Sequence, residues 1–287
     1  MDKNTLKTGV LLAGLGGLLI AVGQWIGGGE GAFIGFAIGL LITGVSYWFS
    51  DKIAVKASGA KPVTEQEAPQ LYRMVRELAT RANMPMPRLY MSPATQPNAF
   101  ATGRNEKHAV VAVTQGLMQV LTEDELRGVL AHELSHVRNH DILTTSVAAA
   151  VALGITMVAR MVMWASFFGG SDDEGQNPIA LLALVILAPL AAGLLQMALS
   201  RSREFDADHD GAELLGTGEP LARALEKIDA AAKQVPMNVD PAIATAYIVN
   251  PLTGRKINFS SLYSTHPPTA ERVRRLRAKS GQLGPHS

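Results

Sequence analysis

Four long apolar stretches constrain the fold of this chain more than any other feature of its sequence. Each is close to the ~20 residues that an α-helix needs to cross the ~30 Å hydrocarbon core of a bilayer. They occupy residues 8–27, 31–49, 142–168 and 178–199. The chain as a whole is 47% hydrophobic, and the apolar residues are concentrated in these stretches. The pattern predicts a membrane protein with four transmembrane helices embedded in a lipid bilayer.

Two polar regions make up most of the remaining chain. An even number of predicted crossings separates them, so they lie on the same side of the membrane and are expected to form one domain. The predicted organisation is therefore a transmembrane hairpin, the first part of a soluble domain, a second transmembrane hairpin, and the second part of that domain. These segments are residues 1–50, 51–141, 142–199 and 200–287.

The charges that flank the apolar stretches predict which side of the membrane carries this domain. Lysine and arginine accumulate in the cytoplasmic loops of membrane proteins. The loops at residues 28–31 and 171–175 contain acidic residues and no basic ones. The basic residues flank the opposite ends of the stretches: Lys3, Lys7, Lys52, Lys56, Lys61, Arg201 and Arg203. Both termini and the soluble domain are therefore predicted to be cytoplasmic.

Two alternatives remain open for the apolar stretches. Arg160 interrupts the third one, and a charge at mid-membrane costs at least ~2.5–3.5 kcal/mol on insertion scales. Residues 142–199 could instead form an apolar hairpin that packs on the soluble domain or lies at the membrane interface. Residues 8–27 could be a cleaved signal peptide. The second apolar stretch follows almost at once, however, which favours a transmembrane hairpin.

Composition excludes several classes of function. The chain contains no cysteine, which rules out disulfides, thiolate metal sites and cysteine nucleophiles. Any bound metal must therefore be held by histidine and carboxylate side chains. The 26 lysines and arginines nearly balance the 25 aspartates and glutamates, so nucleic acid is not an expected partner. No feature of the sequence indicates an oligomeric state.

Within the polar regions the pattern predicts a small sheet and several helices. Thr64 and Glu67 have the spacing of a capping box and predict an amphipathic helix that runs to about Asn83. Short runs with strand character follow, separated by proline, glycine and charged residues. The runs are residues 88–91, 98–101 and 109–113.

The sequence His-Glu-Leu-Ser-His at residues 132–136 is the HExxH motif. A second capping box at Thr122 predicts the helix that carries it. On a helix, His132 and His136 share one face with Cβ atoms ~5–6 Å apart, so both imidazoles can reach one zinc ion. Glu133 stands beside them and can take a proton from water bound to the metal. The motif predicts metal-assisted peptide hydrolysis.

A catalytic zinc site needs three protein ligands and one open position, so a third ligand is required. The metzincin pattern HExxHxxGxxH does not supply it, because Asn139 and Ile142 stand where glycine and histidine are needed. His140 lies too far along the helix axis to complete the site. We expect it to end the helix, where a cation is favoured.

Glu204 is the favoured third ligand because it directly follows the fourth apolar stretch, which returns the chain to the side of the motif. Glu204 and Asp208 are four residues apart on a predicted helix, so Asp208 can orient a ligand histidine through its second ring nitrogen. The competing candidates for the third ligand are Asp206, His209 and Glu213.

In the order of these motifs the chain resembles the HtpX-type membrane metallopeptidases, which are related to the CAAX prenyl endopeptidases. The motifs that carry the resemblance are residues 98–103, 132–136, 202–208 and 265–268, with Arg272 beyond them. The resemblance implies that Glu204 is the third ligand and that Asp208 supports the metal site. It also implies that a peptide substrate lies along an edge strand. That strand is formed by Asn98, Ala99, Phe100 and Ala101.

The role of His266 is open. The resemblance suggests that it approaches the site, where it would stabilise the developing oxyanion or occupy the open metal position. It could equally form a rigid cap with Pro267 and Pro268 before a helix that starts near Thr269.

The predicted fold class is mostly helical α+β, a zincin-like domain of the gluzincin type with four transmembrane helices. The predicted protein is an endopeptidase of the bacterial plasma (inner) membrane with one Zn²⁺ per chain. The resemblance implies that it cleaves unfolded, misfolded or damaged membrane proteins at the cytoplasmic face. The alternatives are a CAAX-type processing peptidase and a non-catalytic membrane assembly protein with a structural zinc site. Glu133 distinguishes the non-catalytic assembly protein from the two kinds of peptidase, because a structural zinc site needs no general base.

Overall fold

The computed structural model describes residues 58–141, 201–234, 248 and 267–283, with scattered positions between 13 and 56. The chain divides into two compact units, residues 1–48 with 144–196 and residues 49–143 with 197–287. The third and fourth predicted spans and His266 lie outside the described residues, as do many positions of the first two spans. None of the helices within the described part has both the length and the hydropathy needed to cross a membrane.

The second unit contains a four-stranded sheet, in the order β1-β2-β4-β3. The strands β2 and β4 are parallel, and the other two pairs are antiparallel. The small sheet predicted from the sequence is confirmed. The strands are β1 (Lys61–Pro62), β2 (Arg88–Ser92), β3 (Ala99–Thr102) and β4 (Val110–Thr114).

Among the described strands, β3 lies at one edge of this sheet. It pairs only with β4, from Ala99 opposite Val113 to Thr102 opposite Val110. All five residues of β4 are buried, as expected for a strand covered on both faces. The second edge of β3 is therefore directed away from the sheet.

Helices make up most of the described unit, in agreement with the predicted fold class. A short 3₁₀ turn, Glu106–His108, precedes β4. The helices are α1 (Pro69–Arg81), α2 (Gln115–Val120), α3 (Glu123–Arg138), α4 (residues 201–215), α5 (Glu219–Gln234) and α6 (Thr269–Leu283). One hydrophobic core contains side chains from the sheet and from α1, α3, α5 and α6.

The start of α1 differs from the sequence prediction. The capping box forms, with the Thr64 N–H donating to Glu67 at 2.7 Å, but residues 65–67 make a turn rather than a helix. Helix α1 begins at Pro69, and the preceding Ala68 has φ −137° and ψ 60°. A proline disfavours helical angles in the residue before it, which explains the later start.

Helix α3 lies at the centre of the unit and begins as predicted. Thr122 and Glu125 form a reciprocal capping box, and most residues of the helix, including His132 and Glu133, are buried. Lys227 on α5 donates to the buried Glu125 carboxylate at 2.7 Å. The helix ends before His140, which has a φ of 57° and is exposed, as expected for a residue at a helix end.

Two glycines allow neighbouring helices to approach α3 closely. A Cβ on Gly128 would stand 2.6 Å from Leu221 N at the start of α5. A Cβ on Gly211 of α4 would stand 3.1 Å from His132 N. At both glycines, the place that a side chain would occupy is next to the backbone of the neighbouring helix. Helix α4 therefore lies directly against the turn of α3 that carries the motif.

Candidate metal centre

His132 and His136 lie on one face of α3 with their rings 4.6 Å apart between centroids and nearly perpendicular, at 85°. Their Nε2 atoms face each other at 3.1 Å. This is the arrangement expected for residues four apart on a helix when both rings turn toward a common point.

The carboxylate of Glu204 on α4 forms a triangle with the Nε2 atoms of His132 and His136. Its Oε1 lies 3.4 Å from His136 Nε2, and its Oε2 lies 3.7 Å from His132 Nε2. The other candidates for a third ligand are exposed on faces of α4 that point away from these rings. They are Asp206, His209 and Glu213.

A carboxylate contacts the Nδ1 atom of each histidine, on the side of the ring opposite Nε2. His132 Nδ1 lies 3.0 Å from Asp208 Oδ1, one turn beyond Glu204, and His136 Nδ1 lies 2.9 Å from Asp141 Oδ2. A carboxylate at Nδ1 favours the tautomer in which Nδ1 carries the proton and Nε2 presents its lone pair. Both Nε2 atoms face Glu204, and each can bind a metal when its ring is neutral.

The triangle fits one metal ion. Nitrogen and oxygen ligands at about 2.0–2.2 Å in a tetrahedral site stand about 3.3–3.6 Å apart. The three observed separations are 3.1, 3.4 and 3.7 Å. All three side chains offer ligand atoms within 4.8 Å of one another, so His132, His136 and Glu204 together could hold a single cation.

The buried charges around the triangle also fit a divalent cation. Four buried carboxylates and two buried arginines of the described unit surround the two imidazoles, a net charge of −2 when all six groups are ionised and both rings are neutral. A divalent ion would neutralise that charge, which a low-dielectric interior strongly favours. The groups are Glu133, Asp141, Glu204, Asp208, Arg203 and Arg272.

The two histidines differ in pKa. Burial lowers the pKa of His132, so this ring is neutral and ready to bind a metal. Burial also disfavours the charged form of His136, but Asp141 and Glu204 outweigh it and raise the pKa of His136 to about 10. A metal must therefore displace a proton from His136 when it binds.

Glu133 is buried beside the triangle. Burial, assisted by the negative charge of Glu204, raises the pKa of Glu133 to about 7, against the opposing charges of His136 and Arg272. Its carboxylate accepts a hydrogen bond from the backbone N–H of Ala101 on β3. A carboxyl group with this pKa can both accept and donate a proton near neutral pH.

The residues of the predicted substrate strand lie at and next to the edge strand β3. The backbone N–H of Asn98 donates to Thr114 Oγ1 at 2.9 Å, and Phe100 packs in a small cluster on the far face of the sheet. On the outer edge, the Ala99 carbonyl accepts a hydrogen bond from the backbone N–H of Ile248 at 3.1 Å. The outer edge of β3 is therefore engaged at Ala99 and Ala101 in this structure.

Sequence reasoning assigned no role at the metal site to Asp141, Arg203 or Arg272. Asp141 follows His136 by five residues, and the tendency of ligand histidines to bind a carboxylate through the second nitrogen was the available signal. Arg203 directly precedes the predicted ligand Glu204, which was the available signal for it. Arg272 lies far along the chain from the motif, and a single sequence does not show that its side chain reaches the site.

A model of peptidase family M48 matches residues 65–280. The chain belongs to this family. It is 51% identical over 279 residues to a protease HtpX homolog of Pelotomaculum thermopropionicum, which covers 96% of this chain and 99% of the relative. A protease HtpX homolog of Nostoc punctiforme is 49% identical over 284 residues and covers 98% of both chains. The predicted resemblance to HtpX-type peptidases is confirmed.

The structure of S. mikatae Ste24p is similar to this M48 chain in fold, with a TM-score of 0.56 and 21% sequence identity. The similarity covers 95% of this chain and 65% of the Ste24p chain, so this chain spans just under two thirds of that protein. Family membership and the His-His-Glu cluster together identify this chain as a metalloendopeptidase.

Proposed function

We propose that this M48 peptidase is a membrane-integral, zinc-dependent endopeptidase that hydrolyses misfolded or damaged membrane proteins at the cytoplasmic face. The observation that carries the metal-dependent part is the buried triangle of two Nε2 atoms and one carboxylate with 3.1, 3.4 and 3.7 Å sides. Zinc is the proposed ion because imidazole and carboxylate ligands in a three-plus-open arrangement are typical of catalytic zinc sites.

In this proposal His132, His136 and Glu204 hold the zinc ion, and Glu133 is the general base. Bound zinc would lower the pKa of a water molecule to about 7 and polarise the scissile carbonyl. Glu133 would accept the proton of that water and later donate it to the leaving amine. Its position beside the two ligand histidines on α3, buried from bulk solvent, suits this role.

The peptide substrate is proposed to pair with the outer edge of β3, at Asn98, Ala99, Phe100 and Ala101. Backbone pairing at a sheet edge binds many sequences, which suits a peptidase of unfolded chains. The Ala99 carbonyl is held by Ile248 in this structure, so pairing with substrate at that group requires Ile248 to release it.

The membrane and quality-control parts of the proposal come from the sequence and from the relatives. The four apolar stretches and the distribution of basic residues favour four spans with the domain on the cytoplasmic side. The relatives named protease HtpX homolog are about half identical to this chain over nearly its whole length.

The decisive experiment is cleavage of casein by detergent-purified protein that has been stripped of metal. Adding Zn²⁺ should restore cleavage to the wild-type protein and not to Glu133→Gln. Glu213→Gln, an exposed position on α4, is the matched control and should behave as wild type. Stoichiometric zinc binding without any cleavage that depends on Glu133 would instead support a structural zinc site.

The orientation can be tested separately, because the chain has no cysteine of its own. Lys107→Cys places a thiol at an exposed position of the described domain, and Ser171→Cys places one in the loop predicted on the opposite side. A membrane-impermeant maleimide applied to cells with permeabilised outer membranes should label Ser171→Cys and spare Lys107→Cys. The reverse pattern would overturn the cytoplasmic assignment.

A further inference from the structure

Arg272 on α6 is buried to 1% exposure beside the metal centre, although arginine is almost never buried without a partner. Its guanidinium clamps Asp208 with two hydrogen bonds, Nε to Oδ2 at 2.9 Å and Nη2 to Oδ1 at 2.8 Å. Such a two-pronged pair has a fixed geometry as well as a high strength. Asp208 therefore cannot rotate without breaking both bonds.

The same Oδ1 atom of Asp208 also contacts His132 Nδ1 at 3.0 Å. The orientation of the His132 ring thus depends on Asp208, and the orientation of Asp208 depends on Arg272. The guanidinium lies 3.2 Å from Glu204 Oε2 and 3.4 Å from His132 Nε2, so it reaches two of the three candidate ligands.

A third hydrogen bond holds the other end of the guanidinium. Arg272 Nη1 donates to the backbone carbonyl of Ile248 at 2.9 Å, and the N–H of Ile248 bonds the outer edge of β3. Because it has partners on three sides, the planar guanidinium of Arg272 is held in a single orientation. Lysine has a single ammonium group and cannot make both bonds to Asp208 in this geometry.

We propose that Arg272 is a positioning residue, which holds Asp208 against His132 Nδ1 and thereby aims His132 Nε2 at the metal. The proposal rests on the metal site of the proposed function. It predicts that Arg272 acts on metal affinity through Asp208, and not merely by keeping α6 in place.

The test measures zinc affinity by competition with a chelator, using full-length protein in detergent. Groups that orient metal-bound histidines change metal affinity by about 10–100-fold when they are removed. Arg272→Lys keeps the charge and loses the clamp, so it should weaken zinc binding within that range. Asp208→Asn should weaken it by a similar factor. The double variant should bind zinc no more weakly than whichever single variant has the lower zinc affinity. Both changes break the same chain of contacts from Arg272 through Asp208 to His132, so their effects should not add.

Arg275→Lys is the matched control, since Arg275 lies on the same helix, is exposed and pairs with Glu271 on the surface. It should keep the zinc affinity of the wild type. Thermal unfolding of the metal-free variants shows which of them fold, and Arg272→Gln, which also cannot make both bonds to Asp208, provides the test if Arg272→Lys does not fold.

The outcomes separate the two proposals. If the wild-type protein binds no zinc, the proposed function and this inference both fail. If the wild type binds zinc and either Arg272→Lys or Asp208→Asn binds it equally well, only the inference fails. Losses of affinity that multiply in the double variant would also overturn it, because they would show that the two residues act independently.

Discussion

Gly128 offers a quantitative test of how closely the helices around the metal centre are packed. In Gly128→Ala, the new Cβ would stand 2.6 Å from Leu221 N and 2.8 Å from Leu221 Cα, whereas ordinary contact begins near 3.4 Å. Both contacts are backbone atoms, so one helix must move by about 0.8 Å, and overpacking of this kind costs about 1–3 kcal/mol. The alanine itself favours the helix by up to about 1 kcal/mol. We expect the free energy of unfolding to fall by about 1–2 kcal/mol.

Gly281→Ala is the control, because it makes the same change on α6 where no atom lies within 4 Å of the new Cβ. Thermal unfolding followed by circular dichroism should show a Tm about 2–8 °C lower for Gly128→Ala. Gly281→Ala should raise Tm by up to about 4 °C. An unchanged or raised Tm for Gly128→Ala would refute the reasoning, since it would mean that α3 and α5 can separate at no cost.

Three further predictions concern the metal and the charges. Glu204→Gln should reduce the zinc content of the purified protein to well below one ion per chain, and Glu213→Gln should not; metal analysis checks both. Because the pKa of His136 is raised to about 10, zinc must displace its proton, and zinc affinity should rise by about tenfold per pH unit between about pH 6 and 9. Asp141→Asn should flatten that dependence, and an affinity independent of pH in the wild type would contradict it. Burial opposes the charge of Glu125, but Lys227 and the Thr122 cap lower its pKa below the ordinary 4.5. The stabilisation is therefore fully present above pH 4.5 and is lost as the pH falls through the lowered pKa, so Lys227→Met should lower Tm near neutral pH and lower it less at about pH 3.

The parts of the site that sequence reasoning reached depend on local spacing. The helix that carries the motif was predicted from a capping box and from ligands four residues apart, and both features are properties of a few adjacent residues. Glu204 and Asp208 share one helix face for the same reason. Strands β2, β3 and β4 were predicted because turn residues flank short runs of β-branched and apolar residues, whereas β1, which has only two residues, was not predicted.

The parts that sequence reasoning missed depend on contacts between distant segments. Arg272 lies 64 residues from Asp208 and 140 residues from His132 along the chain, and only the packing of α6 brings them together. The contact of Ile248 with β3 is of the same kind. The start of α1 was misplaced for a local reason, because the capping box was given more weight than the proline that follows it.

The site is divided along the chain: His132 and His136 precede residues 142–200, Glu204 follows them, and Arg272 comes later still. Ribosomes deliver about 5–20 residues per second, starting from the N-terminus. A growing chain that has exposed only α3 therefore has two of the three proposed ligands and lacks Glu204, Asp208 and Arg272. In the proposed function, the three ligands come together only after α4 has been made and has docked on α3. The order of the segments therefore delays formation of the proposed metal site until most of the chain has been synthesised.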